Sequence, residues 1–309
     1  MQIARVINPV ADFYAVATIQ EAVRLRTGAQ VKKPILLLGV CQDIEAAVKH
    51  NLTITIGSVN EMETLIKKAT GLIYIHIKVN TGLNRYGITT LWQLKHILTL
   101  AQKNPRIIVG GLYTHMSHEK NNLCEIDKQL KKFTPFRSMI KRNFPRAIIH
   151  ASCSGSAEYK PAQFDMVRVG KSMYGGFNGY KTCLQLIARI VAVQNVAKSG
   201  GVGYGHKFTT TKSTPVGIVS CGYADCGFLN FGTTTYVAIG KKRVKILGTV
   251  GMDAFMVDVS GIQNPLGKPV TIISPAEGTS FMEFVKTSGK SACLQFCSLN
   301  YTRGKLIYK

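Results

Sequence analysis

The feature that most constrains the fold of this 309-residue chain is an alternation that stops part-way along. Up to about residue 170, short apolar runs alternate with amphipathic stretches. The runs fall near 12–17, 34–39, 53–57, 72–79, 107–114, 147–151 and 165–169. The longer ones are apolar on both faces, as expected of a parallel sheet covered by helices. Amphipathic helices are predicted near 19–27, 42–49, 59–69, 89–103, 122–143 and 155–161. Such repetition, with right-handed crossovers, gives an α/β fold. A (β/α)8 barrel closes with eight strands, and the sequence supplies seven. Met1 to Val10 reads as the end of a helix running into 12–17, so the chain is expected to begin mid-motif, one strand short.

After about 185, strand-like runs follow one another at 185–196, 215–221, 235–239, 243–249, 254–259 and 269–274. Gly-rich or polar turns such as Gly240-Lys241-Lys242 join them, which describes an all-β segment. A helix near 279–289 and a last strand pair are expected to close the chain. The division expected is a barrel domain over 1–180 and a mainly β domain over 181–309, with no low-complexity linker between them.

Composition serves mainly to exclude. No run of 18 apolar residues exists to span a membrane, and the N-terminus lacks the long apolar stretch of a signal peptide. No membrane partner and a cytoplasmic location are expected. The eight cysteines include no C-x-x-C pair and none beside a histidine in a ligand pattern. They are expected to be free, mostly buried thiols in a reducing compartment, with no metal. Cys293 and Cys297, four apart, fit one helix face. The net charge of +23 is densest over 120–146, with Lys128, Lys131, Lys132, Arg137, Lys141 and Arg142. That stretch reads as a solvated helix face. No zinc-finger spacing, aromatic RNA-binding signature or recognition helix supports a nucleic-acid partner. An acidic ligand would suit the field.

In such a barrel, chemistry sits at the C-terminal ends of the strands. Lys78 ends an otherwise apolar strand, where a buried ammonium is costly unless paired. Asn80 to Arg85 follow it. The fifth run ends in Tyr113-Thr114-His115, the sixth passes into the hydroxyl-rich His150 to Ser156, and the seventh carries Arg168. Hydroxyls and free backbone N–H groups after the last barrel strands suit a phosphate. Each residue alone also has a structural reading as cap, turn or bridge. In the β segment, Tyr204 sits among Gly201, Gly203 and Gly205, Tyr223 and Asp225 end a strand, and Gly251-Met252-Asp253 precedes another. A tyrosine used as a base needs its pKa of about 10 lowered, or a neighbour to share the proton.

Taken together, these stretches resemble the alanine racemases, fold-type III pyridoxal-phosphate enzymes. The matching pieces are Ala11 to Thr18, Lys78 to Arg85, Gly111 to His115, His150 to Ser154, Met166 to Gly170, Gly201 to Gly205, Gly222 to Asp225 and Gly251 to Asp253. They occur in family order over essentially the whole chain. The resemblance implies a cofactor-carrying barrel, a C-terminal β domain and a head-to-tail homodimer with shared active sites, acting on a small amino acid. By position, Tyr204 resembles the base for the L-enantiomer, donated across the dimer. His115 would lie near that tyrosine and the cofactor ring. Arg85 would contact the cofactor's phenolic oxygen and the substrate carboxylate. Lys78 resembles a lysine that many members carry as a carbamate. Ser154, the backbone at Gly170 and Lys171, and Tyr301 would hold the phosphate. Arg168 would face the pyridine nitrogen. Tyr223 and Met252 would line the substrate entrance and carboxylate pocket.

Gly251, Cys226 and Thr302-Arg303-Gly304 are smaller departures from the family pattern. The main one is the family's Schiff-base lysine, which ends the first barrel strand. Here no lysine precedes Lys32. The expectation is an alanine racemase chain, forming D-alanine for peptidoglycan in a longer version and inactive as 309 residues alone. A non-catalytic remnant with residual cofactor or partner binding is the alternative. Alanine is not separated from serine or a basic amino acid as substrate.

Overall fold

The computed structural model describes the chain except for residues 120, 178, 228–235, 277–278, 290, 301–302, 305–306 and 308–309. It divides into two compact units, Met1–Val169 and Gly170–Lys309.

The first unit alternates strand and helix. After α1 (Gln2–Ile7) come β1 (Tyr14–Val16), α2 (Ile19–Thr27), β2 (Ile35–Leu37), α3 (Ile44–Lys49) and β3 (Thr53–Ile56). Then follow α4 (Val59–Lys68), β4 (Ile73–Lys78), α5 (Leu91–Gln102), β5 (Ile107–Tyr113), α6 (Leu123–Asn143), β6 (Ile148–Cys153) and β7 (Met166–Arg168). The seven strands pair in parallel and in chain order as a nearly closed barrel. Every residue of β2 and β3 is buried, as their two-sided apolar reading requires.

The helices start where side chains can cap them. Thr18 and Thr90 form capping boxes with Glu21 and Gln93. Asp43, Ser58 and Asn122 each accept the amide three residues on. Each such cap is worth about 1 kcal/mol.

Register places the polar residues. Lys78 lies opposite Tyr113, Tyr113 opposite His150, and Cys153 opposite Arg168. Four neighbouring strands therefore deliver their last polar side chains to the same end of the sheet.

In the second unit, a closed antiparallel barrel runs in the order β11-β14-β13-β12-β15-β8. The strands are β8 (Leu186–Val196), β11 (Thr214–Val219), β12 (Tyr236–Ile239), β13 (Lys242–Leu247), β14 (Phe255–Asp258) and β15 (Pro269–Ile273). A small hairpin of β9 (Gly201–Val202) and β10 (Phe208–Thr209) precedes β11. Val219, Val237, Phe255, Val257, Val270 and Ile272 fill the interior, and α7 (Phe281–Ser288) packs Phe281 and Phe284 onto the same core.

Three expectations are corrected. The helix expected at 155–161 is a run of turns followed by a single 3-10 turn at Lys160–Ala162. Its one serine bonds locally instead: the Ser156 hydroxyl accepts the Cys153 amide at 3.2 Å, which competes with helix formation. The closing strand pair is replaced, among the described residues, by α8 (Ala292–Cys297), capped by Ser291. The thiols are free but not mostly buried. Cys124, Cys183, Cys293 and Cys297 are exposed, Cys41 and Cys153 half-buried, and only Cys221 and Cys226 buried.

Candidate active site

At the C-terminal end of the first unit's strands, three basic side chains gather with few acids. Lys78 is 5% exposed. Its Nζ lies over two aromatic faces, 5.0 Å from the centre of Tyr86 and 5.6 Å from that of Tyr113. Burial, then Arg85 and Arg168, lower its pKa to about 8. Glu61, a carboxylate beside Tyr86, is already engaged. It accepts the Tyr86 hydroxyl at 2.6 Å and the Gly57 amide at 2.7 Å. Desolvation and Glu61 together raise the Tyr86 pKa. Burial pushes Tyr113 up to about 12 against the opposing effect of its 2.9 Å bond with Thr55 Oγ1. Both phenols are therefore neutral and offer Lys78 only their ring faces.

Arg168 closes the other side. Its Nη2 donates to the carbonyls of Thr114 (2.8 Å) and Ala151 (3.1 Å). Its Nη1 meets His150 Nδ1 at 2.5 Å. Among the described residues no carboxylate pairs with it. His115 is half-buried, and burial followed by the charges of Arg168, Arg85 and Lys78 lowers its pKa to about 4. It is thus a neutral imidazole within reach of all three cations. Arg85 is exposed, in the loop whose turn Asn80 stabilises by accepting the amides of Gly82 and Asn84. Gln129 fixes the next loop, donating to Thr81 Oγ1 (3.0 Å) and the His115 carbonyl (3.3 Å). Thr81 is in turn bonded to Thr114 at 2.8 Å. Ser154 lies in the turn that follows β6 and is half-buried.

The second unit assembles its own group. Gly203 and Gly205 adopt φ of +72° and +66° and flank Tyr204, which is 77% exposed. Thr249 Oγ1 donates to the Tyr204 carbonyl at 3.1 Å. The Tyr223 amide donates to the Gly251 carbonyl at 3.1 Å, and the Ala224 amide to Met252 O at 3.0 Å. A Cβ at Gly222 would stand 2.3 Å from the Met252 carbonyl, so only glycine permits this approach. A Cβ at Gly251 would stand 3.9 Å from the Tyr204 ring. Tyr204, Tyr223 and Met252 therefore share one exposed face.

Gly170 precedes the 3-10 turn at Lys171–Tyr174, and a Cβ there would meet nothing within 4 Å. Lys171 Nζ sits 3.7 Å from the centre of the Phe177 ring. Tyr301 lies outside the described residues.

Candidate residues are thus brought together in two groups: Lys78, Arg85, His115 and Arg168 in the first unit, Tyr204, Tyr223 and Met252 in the second. The sequence reading passed over Tyr86, Gln129 and Glu61, and gave Tyr113, Thr81 and His76 no role of their own. One signal was available: His76 and Lys78, two apart in an apolar strand, share a face. The chain can hold anions at the barrel mouth and can offer an exposed phenol from the second unit.

Comparison with known proteins follows this division. Residues 1–177 match the family model for the alanine racemase N-terminal domain, and residues 183–306 that for the C-terminal domain. An alanine racemase of Thermodesulfovibrio yellowstonii is 33% identical over 268 residues, covering 85% of this chain and 72% of the relative. Alanine racemase 1 of Bacillus subtilis is 29% identical over 303 residues, covering 93% and 76%. Among solved structures, alanine racemase from E. faecalis superposes with a TM-score of 0.86 at 26% identity, covering 94% of this chain and 82% of that one.

Proposed function

The chain belongs to the alanine racemase family, and on that footing we propose that its barrel mouth binds pyridoxal phosphate and that its Tyr204 face acts on L-alanine. A racemase is an isomerase, and this family is generally pyridoxal-phosphate-dependent. The observation that carries the reading is Arg168. It is a permanent cation held by two carbonyls and a histidine and, among the described residues, by no carboxylate, at the ends of the barrel strands. Such a group fits an anionic, aromatic ligand.

When bound, pyridoxal phosphate supplies an electron sink that acidifies the substrate Cα–H. An arginine stays protonated at accessible pH, so Arg168 would donate to the ring nitrogen and leave it unprotonated. The sink would then be weak, which suits proton exchange over transamination. Ser154 and the backbone at Gly170 and Lys171 are proposed to hold the phosphate. Arg85 is proposed to meet the substrate carboxylate, and Tyr223 and Met252 to line its pocket. His115, neutral at physiological pH, would offer a ring nitrogen to the Tyr204 hydroxyl and so orient it.

Tyr204 would serve the barrel of a second copy in a head-to-tail homodimer. A cytoplasmic location suits a D-alanine supply for peptidoglycan. No described helix is long and apolar enough to cross a membrane. Lys78, with its pKa near 8 and no ion pair among the described residues, is proposed to carry a carbamate whose negative charge sits among the cations.

The lysine expected to bind the cofactor covalently has no counterpart among residues 1–309. The first lysines are Lys32 and Lys33, and Lys33 Nζ donates to the carbonyls of Asn8 and Ala11 on the entry side of β2.

Titration calorimetry with pyridoxal phosphate tests the binding. Micromolar or tighter binding, lost in Arg168→Ala, is expected. Equal binding by both proteins would overturn the assignment.

A further inference from the structure

Behind Arg168 lies a second layer of polar residues that the proposed chemistry does not use. His150 is fully buried on β6 and His76, on β4, is 1% exposed. His150 Nδ1 faces the Arg168 guanidinium, and His150 Nε2 faces His76 Nδ1 at 2.9 Å. Two imidazoles in an apolar barrel interior cost desolvation free energy that leucine or phenylalanine would avoid. They persist only as a satisfied chain.

The backbone is shaped around that chain. The β4–β5 register slips at Ile75/His76, and the β6–β7 register slips between His150 and Cys153. Such irregularities re-aim side chains and are characteristic of functional ends of sheets. Gly110 and Gly111 of β5 make room for the His76 ring. A Cβ at Gly110 would lie 3.3 Å from its Nε2, and one at Gly111 2.8 Å from its Cε1. Aromatic rings hold both imidazoles in orientation: Phe13 lies 5.9 Å from His76, and Tyr113 stacks on His150 at 4.7 Å with 6° between planes.

We infer that His76 is a positioning residue: by accepting from His150 it holds that ring, and through it the Arg168 guanidinium, in place, with one tautomer for each imidazole along the chain. The logic is directional. A guanidinium has only donors, so His150 Nδ1 must accept and its proton must sit on Nε2. That N–H donates to His76 Nδ1, which places the His76 proton on Nε2 as well. Protonating either ring would set N–H against N–H along the chain. The charged and titratable groups facing the pair are Arg168 from β7 and Tyr113 from β5, together with each other. Burial first, and then the Arg168 charge, lower both imidazole pKa values, that of His76 to about 4. The permanent cation at one end thus polarises two neutral rings, and neither gains a second proton at neutral pH.

The role of Arg168 toward a cofactor ring rests on the function proposed above, but the relay itself can be read without cofactor. Long-range 1H–15N NMR of full-length protein carrying 15N-histidine reports each ring's tautomer, with assignment by single substitutions. The expected result is Nε2–H for both His76 and His150, unchanged from pH 8 to pH 5.5. His76→Phe keeps a ring on the strand and removes the acceptor. It should move the His150 Nε2–H resonance, whose acceptor is gone, and weaken pyridoxal phosphate binding about tenfold. His76→Asn, whose Oδ1 can replace Nδ1 as acceptor, should restore both. An Nδ1–H tautomer at either ring, or titration near the ordinary histidine value in the unsubstituted protein, overturns the relay even if no variant folds. An unchanged His150 signal in folded His76→Phe does the same. If pyridoxal phosphate fails to bind at all, the functional reading falls, while the tautomer pattern still decides the relay.

Discussion

Lys78 gives the most quantitative prediction. An ordinary lysine at pH 7.5 is uncharged about one time in a thousand. With its pKa lowered to about 8, Lys78 is uncharged about a quarter of the time, a gain of roughly 200-fold in reactive amine. Carbon dioxide adds only to the uncharged amine. The product carries a negative charge between Arg85 and Arg168, the two cations that now disfavour the ammonium. Both the reactive fraction and the stability of the adduct therefore favour carbamate at this one lysine. The test is 13C NMR of the protein in 13C-bicarbonate at pH 7.5, beside Lys78→Arg, whose side chain stays protonated. One slowly exchanging carbamate resonance, absent from the variant and lost on acidification below about pH 6, is expected. No Lys78-dependent resonance, or one equally strong at surface lysines, would refute the argument from burial and neighbouring cations.

Other consequences can be checked on the protein alone. Gly222→Ala drives a Cβ into the Met252 backbone at 2.3 Å. It should cost about 1–3 kcal/mol, read as a lower denaturant midpoint. Tyr86→Phe removes the 2.6 Å bond to Glu61 and should cost about 1.5–3 kcal/mol, the usual worth of a hydrogen bond to a charged group. His76 and His115 are both held near pKa 4 in the folded chain, below the histidine value of about 6.5. Between those limits the unfolded chain binds more protons, so stability falls as pH drops from 6.5 to 4 and is fully present above 6.5. Each such histidine steepens the fall by up to about 1.4 kcal/mol per pH unit. Melting curves across pH 4–7 should flatten in His76→Asn.

Much of this was legible in the sequence because period and punctuation carry it. The seven apolar runs are the seven parallel strands, and the change of pattern after 185 is the start of the antiparallel barrel. Capping residues such as Thr18, Asp43, Ser58 and Thr90 marked the helix starts locally. What stayed hidden depends on register. That Lys78, Tyr113 and His150 lie side by side follows from strand pairing, which no local pattern encodes. The His76–His150 contact needs two register slips and two glycines on a third strand. The segment 155–161 differs from its expected helix because its one serine, Ser156, bonds to nearby backbone instead. At the end of the chain, Ser291 caps the helix that carries Cys293 and Cys297, whose four-residue spacing fitted a helix face.

The central claim is that Tyr204 moves the α-proton of L-alanine when the barrel mouth holds pyridoxal phosphate. The most direct measurement is loss of the L-alanine Cα–H signal in D2O, followed by 1H NMR with protein and cofactor, beside Tyr204→Phe and cofactor without protein. The account predicts exchange well above the protein-free rate, falling to near that rate in the variant. Exchange no faster than with free cofactor, or unchanged in Tyr204→Phe, would contradict it.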